Sequence, residues 1–363
     1  MTHRVYNFNP GPATLPQTVL EEAQDTLINY QKTGMSVMEL SHRAKEISFM
    51  MEETESLCAE LLNIPEDYSI LFLQGGASLQ FAMVALNFLL EGYNAGYILT
   101  GSFAEKSYQE AQKVGSAYIA ASTKKGGYKT IPQDKDIVIK DKTIYLHLTS
   151  NNTIFGSQWQ SFPELKNVHL VADMSSDIMS RPLNISQFGL IYAGAQKNLG
   201  PAGVTLIIVS PAMLSYCRQD LPVILQYTTH AKNKSLYNTP PTFNIYIMNL
   251  VLKWLKQQGG LKTIDKINRT KANLIYQVID KYSSFYIGHA NKEYRSLMNI
   301  TFRLPSAELE KKFLQQASSE GLVGLKGHRS VGGIRASIYN AMPVDGCKAL
   351  ADFMESFYAA NTS

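Results

Sequence analysis

Seven short runs rich in Ile, Leu and Val recur between residues 69 and 209, with helix-length stretches between them: Ser69–Leu73, Gly96–Thr100, Ala117–Ala121, Thr143–Leu148, His169–Asp173, Leu190–Ala193 and Val204–Val209. Runs apolar on both faces need cover on both sides, and strands this far apart are joined by crossovers rather than tight hairpins. The pattern predicts an α/β fold with a mainly parallel seven-stranded sheet flanked by helices. Ahead of it, Ser41–Asn63 sets Ile47, Met50, Met51, Thr54, Leu57, Cys58 and Leu61 on one helical face, which makes Cys58 a core residue.

After Pro240 and Pro241 one helical pattern runs from Phe243 to Gln258, breaks at Gly259 and Gly260 as at a hinge, and resumes from Leu261 to Tyr282. Alternating Met298, Ile300 and Phe302, and later Gly333 to Ser337, predict a smaller α+β domain. Ser122–Tyr128 and His230–Ser235 read as polar loops. The turn-rich Asn7-Phe8-Asn9-Pro10-Gly11-Pro12 suits no regular element and is expected to lie over another part of the chain.

Composition narrows the function classes. At roughly 100–200 residues per domain, 363 residues allow about two domains, and 45% hydrophobic with 18% charged residues excludes disorder and fibres. With 34 Lys and Arg against 30 Asp and Glu, the net charge of +4 is no nucleic-acid signature. Cys58, Cys217 and Cys347 have neither a metal-ligand spacing nor a disulfide framework, so no metal site is expected. Met1–Leu15 lacks the apolar core of a signal peptide, and no apolar run approaches ~18 residues. A cytoplasmic protein is expected.

Three segments carry chemistry. In Val168-His-Leu-Val-Ala-Asp173 a buried apolar strand ends in a carboxylate, where open α/β sheets bind ligands; taken alone it is equally a cap or a turn. In Tyr192-Ala-Gly-Ala-Gln196-Lys197-Asn-Leu-Gly200 a lysine sits in a small-residue turn among Ala, Gly and Leu rather than among charges. Paired, the two suit pyridoxal phosphate (PLP), whose aldehyde needs an amine and whose pyridine nitrogen needs a carboxylate to stay protonated. In Leu73-Gln74-Gly75-Gly76-Ala77-Ser78 a strand, a glycine turn and a helix start can hold a phosphate on backbone N–H groups; alone, a packing turn reads equally well. No Lys-Ser/Thr follows and the G-x-G-x-x-G spacing is missing, which excludes a P-loop and a dinucleotide fingerprint.

With these segments the chain resembles the phosphoserine aminotransferase family, within the class V aminotransferases and the aspartate-aminotransferase-like, fold type I, PLP enzymes. The resemblance runs nearly end to end, through Asn7–Pro12, Ser41-His42-Arg43, Gln74–Gly76, Asn152-Thr153-Ile154, Ala172–Ser176, Gly194–Asn198, Tyr237–Pro241, Gly327-His328-Arg329 and Arg335–Ala341. It implies a large PLP-binding domain over 15–260 and a smaller domain made of 1–14 and 261–363.

The resemblance assigns Lys197 to the covalent bond with PLP, Asp173 to the pyridine nitrogen, Thr153 to the ring-hydroxyl side and Phe103 to stacking on the ring, where members often carry Trp. Gly76, Ala77, Ser78 and Gln196 would hold the cofactor phosphate, joined by Asn238 and Thr239 from a second subunit, which implies a homodimer with shared sites. Some members have Arg after the two glycines, where this chain has Ala77.

The implied substrates are L-glutamate, 3-phosphohydroxypyruvate and O-phospho-L-serine. Each pairs an α-carboxylate with a distal anion, a task for arginine forks. Arg335 is assigned to the α-carboxylate, and His42, Arg43, His328 and Arg329 to the distal anion. Some members also use the longer phosphorylated keto acid of pyridoxine biosynthesis. A cysteine desulfurase of the same fold needs a loop cysteine, whereas Cys58 is on a core face and Cys217 and Cys347 sit in helical patterns. A catalytically silent cofactor binder is disfavoured because both Lys197 and Asp173 are present.

Overall fold

The computed structural model describes residues 4–362. Its main sheet is built of β1 (Ser69–Leu73), β2 (Asn94–Leu99), β3 (Ala117–Ser122), β4 (Thr143–Thr149), β5 (His169–Asp173), β6 (Phe188–Gly194) and β7 (Thr205–Val209), lying in the order β1-β7-β6-β5-β4-β2-β3. β7 alone runs against the others, pairing antiparallel with both β1 and β6. All seven predicted strands are present. Their period-two alternation sends Leu170, Ala172, Ile191 and Ala193 into one apolar cluster and Val171, Leu190 and Tyr192 into another. The first packs on helices Lys45–Leu62 and Thr242–Gln257, the second on helices Gly76–Phe88 and Ser102–Val114.

The predicted helical face after residue 41 is in place, with Ile47, Met50, Met51, Thr54, Leu57 and Cys58 buried. The helix itself starts at Lys45. Ahead of it the Ser41 Oγ accepts the Arg43 N–H, a local bond that competes with helix formation and leaves His42 and Arg43 on a turn. His230–Ser235, expected as a loop, begins inside a short helix, Tyr227–Lys232. The helix Gln17–Thr26 was not foreseen; only Val19 and Ala23 of it are buried, too few to mark a stripe.

Helices Thr242–Gln257 and Gly260–Lys281 meet at Gly259 and Gly260, whose φ of +93° and +71° only glycine takes readily. The second helix links two cores: Leu261 and Ile264 pack with the main sheet, while Ala272, Ile275, Val278 and Ile279 join a further cluster with Ile300, Phe313, Ile334, Phe357 and Phe8. That cluster covers a three-stranded antiparallel sheet in the order Ile334–Ser337, Asn299–Arg303, Ile287–Gly288. Tyr6–Asn7 pairs parallel with Leu322–Val323, and the chain then crosses towards the main sheet, where Ala13 N–H donates to the Gln196 carbonyl at 2.9 Å. No helix among the described residues is long and apolar enough to cross a membrane.

Candidate active site

A cavity of about 400 Å³ opens where β1, β4, β5 and β6 end, the carboxyl edge at which open α/β sheets bind ligands. Gly76, Ala77, Ser78, Phe103, Thr153, Asp173, Gln196, Lys197, His328 and Arg335 line it. Ten of the fifteen residues expected at the site therefore share one space, although they come from segments more than 250 positions apart.

At one end, Gly75 and Gly76 turn the chain from β1 into helix Gly76–Phe88 with φ of +87° and +61°. A Cβ on Gly75 would lie 2.6 Å from Leu79, so the turn requires glycine twice over. The first N–H groups of the helix have no intrahelical acceptor, and its first residues, Gly76, Ala77 and Ser78, line the cavity end, a place suited to an anion.

Asp173 ends β5 and is buried. Its Oδ1 accepts from Ser175 N–H at 2.9 Å and Ser175 Oγ at 2.7 Å, which pins the carboxylate; Oδ2 makes no hydrogen bond among the described residues and is left for a ligand N–H. Burial pushes the Asp173 carboxyl up against these bonds and the Lys197 charge. A second buried carboxylate, Asp177, is already engaged by Ser150 and by Gln158 at 3.0 Å, which makes it structural.

Lys197 follows β6 on the small-residue turn, with Gly194 N–H held by Ser175 Oγ at 3.1 Å. Its Nζ donates to Thr153 Oγ1 at 2.7 Å and sits 5.3 Å from the centre of the Phe103 ring. Burial brings the amine down to about 8, Asp173 opposes the shift and the Arg335 charge adds to it. The side chain of Arg335 is buried, bonded through Nη1 to the Thr153 carbonyl at 3.3 Å, and its Nε has no partner within the chain. A guanidinium that lines the cavity with no carboxylate partner among the described residues is fitted to receive an anion. His328 stands nearby, held below its ordinary pKa first by burial and then by Arg335, Arg329 and Lys106.

The other five expected residues lie outside the cavity lining. Asn238 donates to Gln74 Oε1 at 3.2 Å, Gln74 donates to the Thr239 carbonyl at 3.2 Å, and Thr239 Oγ1 meets His42 Nδ1 at 3.4 Å. Thr239, Arg43 and Arg329 are exposed. Asn238, Thr239, His42 and Arg43 thus form a group of their own on the rim beyond Gln74.

The profile of aminotransferase class-V matches residues 5–350. The chain belongs to that family. Among class-V relatives, the phosphoserine aminotransferase of Halalkalibacterium halodurans is 58% identical over 355 residues, covering 98% of each chain. The solved phosphoserine aminotransferase from Bacillus circulans subsp. alkalophilus superposes with a TM-score of 0.97 at 52% identity, over 99% of each chain. That of Trichomonas vaginalis, solved with PLP bound, superposes at 0.92 with 35% identity, over 97% of this chain and 100% of the other.

Set beside the class-V assignment, the cavity holds residues that sequence reasoning passed over: Pro10, Gly11, Phe81, Asn151, Ile154, Ser175 and Ser176. The signal for Ser175 is the Asp-x-Ser spacing, since a carboxylate readily takes the N–H two residues on. Gly11 packs directly on Lys197: a Cβ there would lie 3.3 Å from Lys197 Cγ.

Proposed function

We propose that this chain is a PLP-dependent phosphoserine aminotransferase, moving an amino group from L-glutamate to 3-phosphohydroxypyruvate to give 2-oxoglutarate and O-phospho-L-serine. The observation that carries the reading is the convergence of the Lys197 amine, the half-engaged Asp173 carboxylate and an Arg335 guanidinium without a carboxylate partner among the described residues on one cavity. This donor set fits PLP: an amine for its aldehyde, a carboxylate for its ring nitrogen, an aromatic ring in Phe103 and a helix N-terminus for its phosphate. Bound PLP supplies a carbonyl that takes up the substrate amine and a ring that accepts the electrons released at Cα.

The residues of the chain do the rest. Arg335 binds the α-carboxylate and so fixes how Cα faces Lys197. With PLP in place, the Lys197 amine would be the group that takes the Cα proton on Nζ and gives it back within the same half-reaction. An amine near 8 is partly neutral at pH 7, as a base must be. Asp173 would hold the proton on the ring nitrogen, and Ser175 holds Asp173. Gly76, Ala77, Ser78 and Gln196 would carry the cofactor phosphate. His328 and Arg329, with His42 and Arg43, receive the distal phosphate or carboxylate. Glutamate reacts and leaves first, and the keto acid then collects the amine. The longer phosphorylated keto acid differs by one carbon, worth only ~1–3 kcal/mol in a pocket, and is expected to compete.

The working form is a cytoplasmic homodimer in which Asn238 and Thr239 of the partner subunit complete the phosphate site. Their position outside their own cavity supports this, as do large apolar side chains left exposed early in the chain: Ile28 is 83% exposed, Phe49 60% and Met38 56%. The division into 15–260 and 1–14 with 261–363 is supported by Phe8 packing with residues 272–357. Adding glutamate alone to purified holoenzyme tests the reading, through the cofactor absorption and the 2-oxoglutarate released.

A further inference from the structure

Lys271 is 0% exposed, and none of its hydrogen-bond partners is a carboxylate. Its Nζ donates to three consecutive backbone carbonyls, Ile338 at 3.1 Å, Tyr339 at 2.8 Å and Asn340 at 3.4 Å. An ammonium has three N–H donors, so the set is complete. A buried ammonium still costs several kcal/mol, and a methionine would fill a similar volume without that cost. Packing therefore does not account for the lysine; the segment it grips does.

Residues 338–340 follow directly on the strand Ile334–Ser337, which carries Arg335. Two of the segment's contacts lead back to the cavity. Asn340 N–H donates to Asn198 Oδ1 at 3.0 Å, and Asn198 adjoins Lys197. Asn340 Nδ2 reaches the Met179 carbonyl at 2.9 Å. Tyr339 OH donates to the carbonyl of Pro10, a cavity residue, at 2.8 Å. One turn before Lys271 on the same helix face, Asn268 donates to Asn340 Oδ1 at 2.9 Å and to the Ser180 carbonyl at 3.0 Å.

We propose that Lys271 is a positioning residue: its ammonium clamps the 338–340 segment and thereby sets the distance between Arg335, which binds the substrate carboxylate, and Lys197, which moves the proton. It touches neither substrate nor cofactor. The proposal rests on the roles given to Arg335 and Lys197 above, and its consequence is specific. Loosening the clamp weakens every substrate that presents an α-carboxylate by the same factor and leaves cofactor binding alone.

The test uses the holoenzyme and its Lys271→Met and Lys271→Gln variants, titrated with L-glutamate and separately with O-phospho-L-serine while the cofactor absorption is followed. A displacement of about 1 Å at a reacting centre costs up to ~10²-fold. We expect apparent dissociation constants for both amino acids about tenfold higher in the variants, with cofactor occupancy unchanged and Lys271→Gln, which keeps donors, milder. Lower thermal stability with both constants unchanged overturns the proposal, because a merely structural lysine behaves that way. If neither variant is soluble, Tyr339→Phe, which cuts the same network at Pro10, decides: equal weakening of both amino acids supports the clamp and unchanged constants overturn it. Absence of any spectral response in the unmutated holoenzyme instead defeats the aminotransferase reading itself.

Discussion

Thr153 holds the two ends of the chemistry at once: its hydroxyl accepts from Lys197 Nζ at 2.7 Å and its backbone carbonyl accepts from Arg335 Nη1 at 3.3 Å. The Lys197 amine and the Arg335 guanidinium are therefore referred to one residue on the turn after β4. Because the hydroxyl accepts rather than neutralises, it orients the amine while burial lowers its pKa to about 8.

That value makes attachment of the cofactor pH-dependent. The attacking species is the neutral amine, so in cofactor-free protein the rate of covalent PLP uptake rises with pH through a midpoint of about 8. Stopped-flow absorbance across pH 6–10 measures it. A midpoint at the ordinary lysine value near ~10.4 contradicts the buried, partly neutral amine.

Asp173→Asn keeps the shape and the Ser175 contact but cannot hold a ring-nitrogen proton by charge. Cofactor stays bound and kcat with glutamate falls by orders of magnitude. Normal turnover in this variant, measured as 2-oxoglutarate release, contradicts the role assigned to the carboxylate.

Much of this site was readable before any fold was in hand. Strands covered on both faces read as unbroken apolar runs, which accounts for six of the seven, all but the edge strand β3, and is why Asp173 and Lys197 could be set at strand ends. Directions within the sheet were not readable, and β7 turned out to run against the rest. Nor was the part of Pro10 and Gly11 in the lining, because a turn-rich segment shows that it is irregular, not what it lies on. Lys271 was invisible for a simpler reason: in Lys266-Ile-Asn-Arg-Thr-Lys271 it looks like one more solvated charge, and only the path of residues 338–340 makes it buried.

Arg335→Lys replaces a planar fork with a point charge on a shorter reach. Both half-reactions share the α-carboxylate, so kcat/KM for glutamate and phosphoserine fall together, by up to ~10²-fold. Arg43→Lys instead changes the ratio between the two. The reverse pattern would show that the assignments of the two arginines are exchanged.

Phe49 is 60% exposed on the helix Lys45–Leu62 that follows the His42–Arg43 turn. Phe49→Asp does not disturb the core but replaces an exposed apolar side chain with a charge. Sedimentation is expected to show monomers, and dialysis to remove the cofactor as the contribution of the partner's Asn238 and Thr239 is lost. A monomer that keeps cofactor and full activity contradicts the shared site.

The central claim, amino-group transfer carried by Lys197, is tested most directly by adding L-glutamate alone to purified holoenzyme and to Lys197→Ala. The account predicts one 2-oxoglutarate released per subunit, a matching change in cofactor absorption, and neither in the variant despite an intact fold by circular dichroism. No 2-oxoglutarate from the unmutated enzyme, or equal release from Lys197→Ala, would contradict it.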